Sequence, residues 1–379
     1  MLPAAPGSTT SLAEVLRSSL EAVRRRPNPL SLPAVDRAVV FIVDGLGVAA
    51  LRERAGHART LAGAMTKSSV AHAGFPTTTA AGLATLTTGT HPGQHGMVGY
   101  TVLDPAHDRV VQLLTGWDER LEPATWQRSR TLFERAEEDG IRAFAIGIER
   151  FRDSGLTQAI LRGARFLAGE TPAERAARSR QVLDEQERAV IYVYAAEADF
   201  AAHMHGRDSA RWTSAMEGID AAVAELAAGL GPREGMLVTA DHGGLDVPSS
   251  GHIHIDRNPA MLDGIAHVAG EPRALQLHLQ PDASAAQRER ILDRWKAAES
   301  DRAWVLSRQE AVTAGWFGPV VDAEVLPRIG DIIVAARKRI AYYDPRTADP
   351  QALAMIGQHG SLTEEETRVP LLRFGAFAR

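Results

Sequence analysis

Four short apolar runs, at 37–43, 142–147, 189–194 and 235–240, constrain the fold of this chain more than any other feature. Each has the length of a strand and almost no polar interruption. Arg37-Ala38-Val39-Val40-Phe41-Ile42-Val43 is the clearest of them. Continuous apolar character of this kind suits strands covered on both faces, as in a parallel sheet flanked by helices. Helical stretches at 131–140, 171–187 and 209–229 fall between the runs. Strands alternating with helices imply a layered α/β sandwich around a central, mostly parallel sheet. The first run ends in Asp44-Gly45-Leu46-Gly47 and the last in Asp241-His242-Gly243-Gly244, so carboxylates stand at strand ends. Open α/β sheets bind their ligands at the C-terminal edge.

The region from 262 to 344 follows another pattern. Residues 274–279 alternate like a half-exposed strand, 284–300 form an amphipathic helix, and 303–307 and 331–336 read as further strands. The division expected is an N-terminal helix and connector at 1–33, a core at 34–261 and 345–379, and a small α+β cap insertion at 262–344. Residues 1–10 are expected to be disordered, and a capping box at Ser11-Leu12-Ala13-Glu14 opens a helix that ends near Arg26. Pro370-Leu371-Leu372 would close the core.

The chain has 379 residues, 45% of them hydrophobic, enough for a sizeable core. Its formal charge of -5 is spread among interspersed acids and bases, which disfavours duplex nucleic acid as a partner. Arg24-Arg25-Arg26 reads as a solvated helix end. The absence of cysteine excludes disulfides, thiolate ligands and a thiol nucleophile. No apolar run has transmembrane length, and the N-terminus lacks a signal-peptide pattern. A cytoplasmic protein without membrane association is the default expectation.

Chemistry concentrates in a few segments. Thr77-Thr78-Thr79 follows Phe75-Pro76 and precedes a run of small residues, an arrangement that suits a hydroxyl held at a helix N-terminus facing an anion. The plain alternative is a helix cap. Asp199 and His203 lie one helical turn apart, so both can face one point. With Asp44, Asp241, His242 and His359 they form a mixed oxygen and imidazole donor set that suits Zn²⁺. Two such ions would stabilise the attacking and leaving oxygens of an in-line displacement.

Val43-Asp44-Gly45, Phe75-Pro76-Thr77-Thr78-Thr79, Thr88-Gly89-Thr90-His91-Pro92-Gly93-Gln94-His95-Gly96, Asp199-x-x-x-His203-x-x-Gly206, Asp241-His242-Gly243 and Gly357-x-His359-Gly360 follow one another in a specific order. In that order the chain resembles the alkaline phosphatase superfamily, and within it the nucleotide pyrophosphatase/phosphodiesterase branch. The resemblance covers about 36–260 and 350–375. It implies two divalent metal ions, best matched by Zn²⁺: one held by Asp44, Thr79, Asp241 and His242, the other by Asp199, His203 and His359. It further implies that Thr79 is the nucleophile, because its spacing to Thr88-Gly89 matches the family, with Thr78 as the alternative. The implied activity is hydrolysis of phosphodiester or pyrophosphate bonds in a small, nucleotide-like phosphate ester through a covalent threonine intermediate. Ala80-Ala81-Gly82 departs from the Phe-Pro-Asn usual in that branch, and Ala202 replaces a common glycine.

Two rival functions share these residues. A phosphomonoesterase or carbon–phosphorus hydrolase could use the same scaffold, although no arginine sits within the motifs to neutralise an extra phosphate charge. A catalytically silent, metal-stabilised binding protein is the other. Outside the motifs, His95 is expected to pack and hydrogen-bond locally, and His205 lies off the face of His203. His252 and His254 read as strand or loop positions, Asp220 as a solvated helix residue, and Tyr100 and Trp117 as packing aromatics. Substrate specificity is expected from the cap and from loops such as 116–128.

Overall fold

In the computed structural model, which describes residues 10–344 and 350–378, twelve strands build two six-stranded sheets. In chain order they are β1 (Arg37–Val43), β2 (Thr101–Asp104), β3 (Arg109–Gln112), β4 (Arg142–Gly147), β5 (Arg165–Ala168), β6 (Ala189–Ala195), β7 (Glu234–Thr239), β8 (Ile265–Glu271), β9 (Ala274–Leu279), β10 (Ala303–Ser307), β11 (Ile332–Ala336) and β12 (Leu372–Gly375). The helices that matter for the site are α1 (Ala13–Val23), α2 (Thr79–Thr88), α3 (Pro172–Glu185), α4 (Glu197–His205), α5 (Ala210–Ala228) and α6 (Ala285–Glu299). The expectation of disorder at 1–10 lies outside the described residues except for Thr10.

The central sheet runs β12-β7-β1-β6-β4-β5. All its neighbours are parallel except the edge strand β12, which pairs antiparallel with β7. Every residue of β1 after Arg37 is buried, as its unbroken apolar character requires. The register aligns the strand ends: Val43 lies opposite Ala195, and Ile42 opposite Thr239. Chain leaving β1, β6 and β7 therefore emerges side by side, which places Asp44, the start of α4 and Asp241 at one edge. Helices α1 and α3 pack on the sheet, and α2 and α5 pack on those helices.

The second sheet, β10-β11-β9-β8-β2-β3, is antiparallel throughout. Four of its strands come from 262–344, the other two from the hairpin 101–112. Its own apolar cluster gathers Leu277, Trp295, Val305, Val334 and Tyr342. Asp220 is not solvated as expected; its carboxylate accepts the N–H groups of Thr60 and Leu61 at 3.1 and 2.8 Å and satisfies a helix start. His252 and His254 lie on a short strand paired with Ala341–Tyr343, their rings against Tyr343. Among the described residues no helix is long and apolar enough to cross a membrane.

One buried ion pair fastens the second sheet to the chain beyond His359. The Arg273 guanidinium donates to both oxygens of Glu366, at 2.8 and 2.9 Å, and to the carbonyls of Lys338 and Ile340. Both side chains are fully buried. Removing one partner of such a pair strands the other charge, at a cost of about 3–5 kcal/mol. Arg273→Ala should therefore lower the unfolding free energy by that order in a denaturant titration. A loss below about 1 kcal/mol would show that the pair does not hold the two parts together.

Candidate functional site

Four turns converge at the C-terminal edge of the central sheet. Asp44 follows β1, its N–H bonded to the Ala195 carbonyl at 2.9 Å. Gly45 then turns with φ +70°, and a side chain there would lie 2.4 Å from Asp199 Oδ1. Glycine thus lets the Asp44 turn abut α4, which carries Asp199 and His203. The Gly45 N–H also donates to Asp241 Oδ1 at 3.3 Å. His359 arrives from a two-residue strand, Gly357–Gln358, paired with Leu245–Asp246 just beyond His242.

The structure brings six of these side chains together in two groups. Asp44, Asp241 and His242 form one, Asp199, His203 and His359 the other, with donor atoms in each group within 4.8 Å of one another. The groups adjoin, since the rings of His242 and His359 stack with centroids 3.9 Å apart. Each histidine has Nδ1 on a backbone carbonyl: His203 on Gly357 at 2.7 Å, His242 on Gly243 at 2.9 Å, His359 on Thr77 at 2.8 Å. A carbonyl only accepts, so each Nδ1 carries a hydrogen and Nε2 is the ring atom turned inward. The Nε2 atoms of His203 and His359 face each other at 3.2 Å.

Such a centre asks for positive charge. Asp44 Oδ1 and Asp241 Oδ2 are buried without any hydrogen-bond donor. Burial, and then the negative charges of Asp241 and Asp199, push the Asp44 carboxyl up, against the hydrogen bond from the Tyr194 hydroxyl. Burial also raises Asp241, and Asp199 adds to it while His242 opposes. Burial alone would raise Asp199 too, but His203, with its Nε2 at 3.1 Å, and then His359 and His242 pull it below the usual carboxylate range. Burial, then His242 and His203, hold His359 well below the ordinary imidazole range. Orphaned carboxylate oxygens and inward-facing imidazole Nε2 atoms are a donor set that divalent cations would satisfy.

The three threonines point to different partners. Thr79 is the first residue of α2, and its Oγ1 lies 3.2 Å from His242 Nε2. Thr78 is the extended N-cap, its side chain beside Glu271. Thr77 Oγ1 donates to the Ser361 carbonyl at 2.7 Å and accepts from the Gly360 N–H at 3.0 Å, tying the loop to the residues after His359. Ala80, Ala81 and Gly82 are fully buried. A side-chain carbon on Gly82 would sit 2.5 Å from the Asp241 carbonyl oxygen. The small run is therefore what allows the helix to start directly against the Asp241 turn.

A cavity of about 630 Å³ opens beside Thr79, Asp44, Asp199, His203 and His359. Leu114, Phe151, Leu156, Phe166 and Tyr194 make its wall apolar, and Arg150 is the one arginine among its described lining residues. That wall draws on 146–166 rather than on the 116–128 loop, and among the described residues only Glu271 and Pro272 come to it from 262–344. Sequence reasoning missed Tyr194, whose hydroxyl donates to Asp44 Oδ2. The signal was there: Tyr192 and Tyr194 alternate at the end of β6, which put both rings on the same face near the Asp44 edge. His95 packs locally, buried against Thr85 Oγ1 and the Met97 N–H. His205 is exposed.

Helix propensity alone would make Gly82→Ala stabilising by about 1 kcal/mol. The contact with Asp241 reverses the sign, so Gly82→Ala should lower both the melting temperature and the affinity for divalent cations. A rise in melting temperature would contradict the packing described. Stripping divalent cations should lower the melting temperature of the wild-type protein, since 100-fold saturation of one site contributes about 2.7 kcal/mol. Asp241→Asn relieves the carboxylate crowding, so stripped Asp241→Asn should melt above stripped wild type.

Residues 38–362 match the family model of type I phosphodiesterase/nucleotide pyrophosphatase. Among solved structures, the chain is similar to phosphonoacetate hydrolase from Sinorhizobium meliloti 1021, determined with phosphonoformate: TM-score 0.67, 20% identity, 90% of this chain and 91% of that chain covered. It is also similar to murine ectonucleotide pyrophosphatase/phosphodiesterase 5, with TM-score 0.69, 17% identity, and coverage of 89% of this chain and 88% of that one. An inactive form of the murine protein is known in complex with AMP. At these identities the likeness is one of fold, that of alkaline-phosphatase-like enzymes. A search of curated proteins returned no match.

Proposed function

Because the chain belongs to the type I phosphodiesterase/nucleotide pyrophosphatase family of the alkaline phosphatase superfamily, we propose that it cleaves phosphodiester or pyrophosphate bonds in a small, nucleotide-like substrate. Family membership makes it a phosphoryl-transfer hydrolase, and the finer reading rests on one observation. Thr79 Oγ1 stands at the N-terminus of a ten-residue helix, 3.2 Å from His242 Nε2 and beside both Asp/His groups.

Thr79 Oγ gives up its proton to water and attacks phosphorus in line, the bond from phosphorus to the leaving oxygen breaks with that oxygen free to take up a proton, and a phosphoryl- or nucleotidyl-threonine forms. Water then attacks phosphorus, breaks the bond to Thr79 Oγ and releases the product. The first N–H groups of the helix lack partners within it, and the helix dipole adds to the positive field felt by phosphoryl oxygens. Tyr194 orients Asp44 through its hydroxyl, and the three backbone carbonyls fix the histidine rings. Divalent cations, best matched by Zn²⁺, would be held by Asp44, Thr79, Asp241 and His242 and by Asp199, His203 and His359, and would supply charge at the attacking and leaving oxygens. The apolar wall gives a nucleobase-sized group a flat surface to lie on.

A second reading, hydrolysis of phosphonates or monoesters, draws support from Arg150 at the cavity, a cation able to meet additional negative charge. Zinc-loaded protein should turn over aryl nucleotide diesters with a higher kcat/KM than aryl phosphate monoesters or phosphonoacetate. The opposite order would establish the second reading, and no turnover of any of them would leave a binding protein. Thr79→Ala should lower kcat by roughly 10³-fold or more while zinc content stays near wild type. Retained activity in Thr79→Ala with loss in Thr78→Ala would move the nucleophile by one residue.

A further inference from the structure

Arg150 is exposed at the cavity and is the one arginine or lysine among its described lining residues. The charges around it are engaged elsewhere. Both oxygens of Glu149 accept from the Arg152 guanidinium at 2.7 Å, and Arg152 also donates to the Phe166 carbonyl at 3.0 Å. Asp153 lines a separate cavity, with Arg152 and Arg162. Among the described residues no ion pair to Arg150 is found. Its Cζ lies 4.9 Å from the centre of the Phe151 ring, a contact that keeps the guanidinium on the aromatic wall.

The sheet sets where this charge stands relative to Asp44. Ile146 pairs with Val193, and Val193 with Phe41, so the chain leaving β4 reaches the same edge as Asp44, two strands away. At the usual strand spacing that is about 10 Å. Rings occupy the interval. The Phe151 centroid is 6.3 Å from that of Tyr194, whose hydroxyl donates to Asp44. Outward from Asp44 the order is therefore Tyr194, Phe151, Arg150. A phosphoryl group at Thr79 lies at one end of this row and the guanidinium at the other. The rings suit a flat group between them, and the planar fork of an arginine suits a second phosphoryl group beyond it. Ser154 lines the same stretch of wall, and its hydroxyl accepts the Thr157 N–H at 3.1 Å while keeping its own hydrogen to donate.

We propose that Arg150 is a specificity-determining residue and that the preferred substrate carries two separated phosphoryl groups. One is attacked by Thr79. The other is bound by Arg150, at the far end of the nucleoside-like part that lies along Tyr194 and Phe151. The inference rests on the hydrolase reading and narrows its substrate class to esters of nucleoside bisphosphates.

The test compares two esters on zinc-loaded protein: thymidine 5′-(4-nitrophenyl phosphate) and the same compound phosphorylated at the 3′ oxygen. Wild type should favour the second by about tenfold or more in kcat/KM, chiefly through KM, as one charge-assisted contact supplies. In Arg150→Gln that ratio should fall to near one. Arg150→Lys keeps the charge without the fork, so its ratio should lie between the two. Arg150 is exposed, so none of these changes disturbs the core. No preference in wild type, or a preference that Arg150→Gln retains, would overturn the proposal. So would an Arg150-dependent preference confined to nucleoside diphosphate esters, because the second group would then adjoin the first. Calorimetry with thymidine 5′-phosphate and thymidine 3′,5′-bisphosphate separates this inference from the hydrolase reading. If wild type binds the bisphosphate at least tenfold more tightly and Arg150→Gln binds the two alike, the contact stands even where no ester is turned over. Equal affinity of wild type for the two nucleotides would contradict it.

Discussion

Three carboxylates, Asp44, Asp199 and Asp241, are crowded at one buried sheet edge, and the arrangement of everything around them follows from that crowding. Like charges in a low-dielectric setting repel strongly. The three histidines turn their Nε2 atoms inward, because each spends its Nδ1 hydrogen on a backbone carbonyl. The centre is built to be completed by divalent cations. Without them it stores unfavourable electrostatic energy that the rest of the fold must hold in place.

Close backbone approach provides that hold. Gly45 brings the β1 turn against Asp199, and Gly82 brings the helix that Thr79 opens against the Asp241 turn. Thr77 and His359 lock the threonine loop to the segment 359–361, and the Arg273–Glu366 pair anchors the chain that follows. Each of these contacts links segments distant in sequence.

Much of this was legible in the sequence, and for physical reasons. A strand buried on both faces must be apolar throughout, so β1, β4, β6 and β7 announce themselves, and the chain emerging from their ends must carry the chemistry. Asp44 and Asp241 are visible on that ground alone, and Asp199 and His203 by helical spacing. The hairpin 101–112 was not legible as part of the second sheet, because its pairing with β8 spans more than 150 residues and only its own short alternation hints at it. Tyr194 and Arg150 were missed because nothing local marks them: one gains meaning from a hydrogen bond to Asp44, the other from its place at the cavity beside Phe151. Ala80-Ala81-Gly82 read as a departure from the family pattern. In three dimensions it is a packing requirement set by the Asp241 carbonyl.

The claim on which the account turns is that Thr79 becomes covalently linked to phosphorus. Zinc-loaded protein mixed with a nucleotide diester, acid-quenched within the first turnover and digested, can be examined by mass spectrometry for a modified threonine in the 73–91 segment. The account predicts a phosphoryl or nucleotidyl adduct on Thr79. Turnover accompanied by an adduct on Thr78, or by no adduct at all under burst conditions, would contradict it.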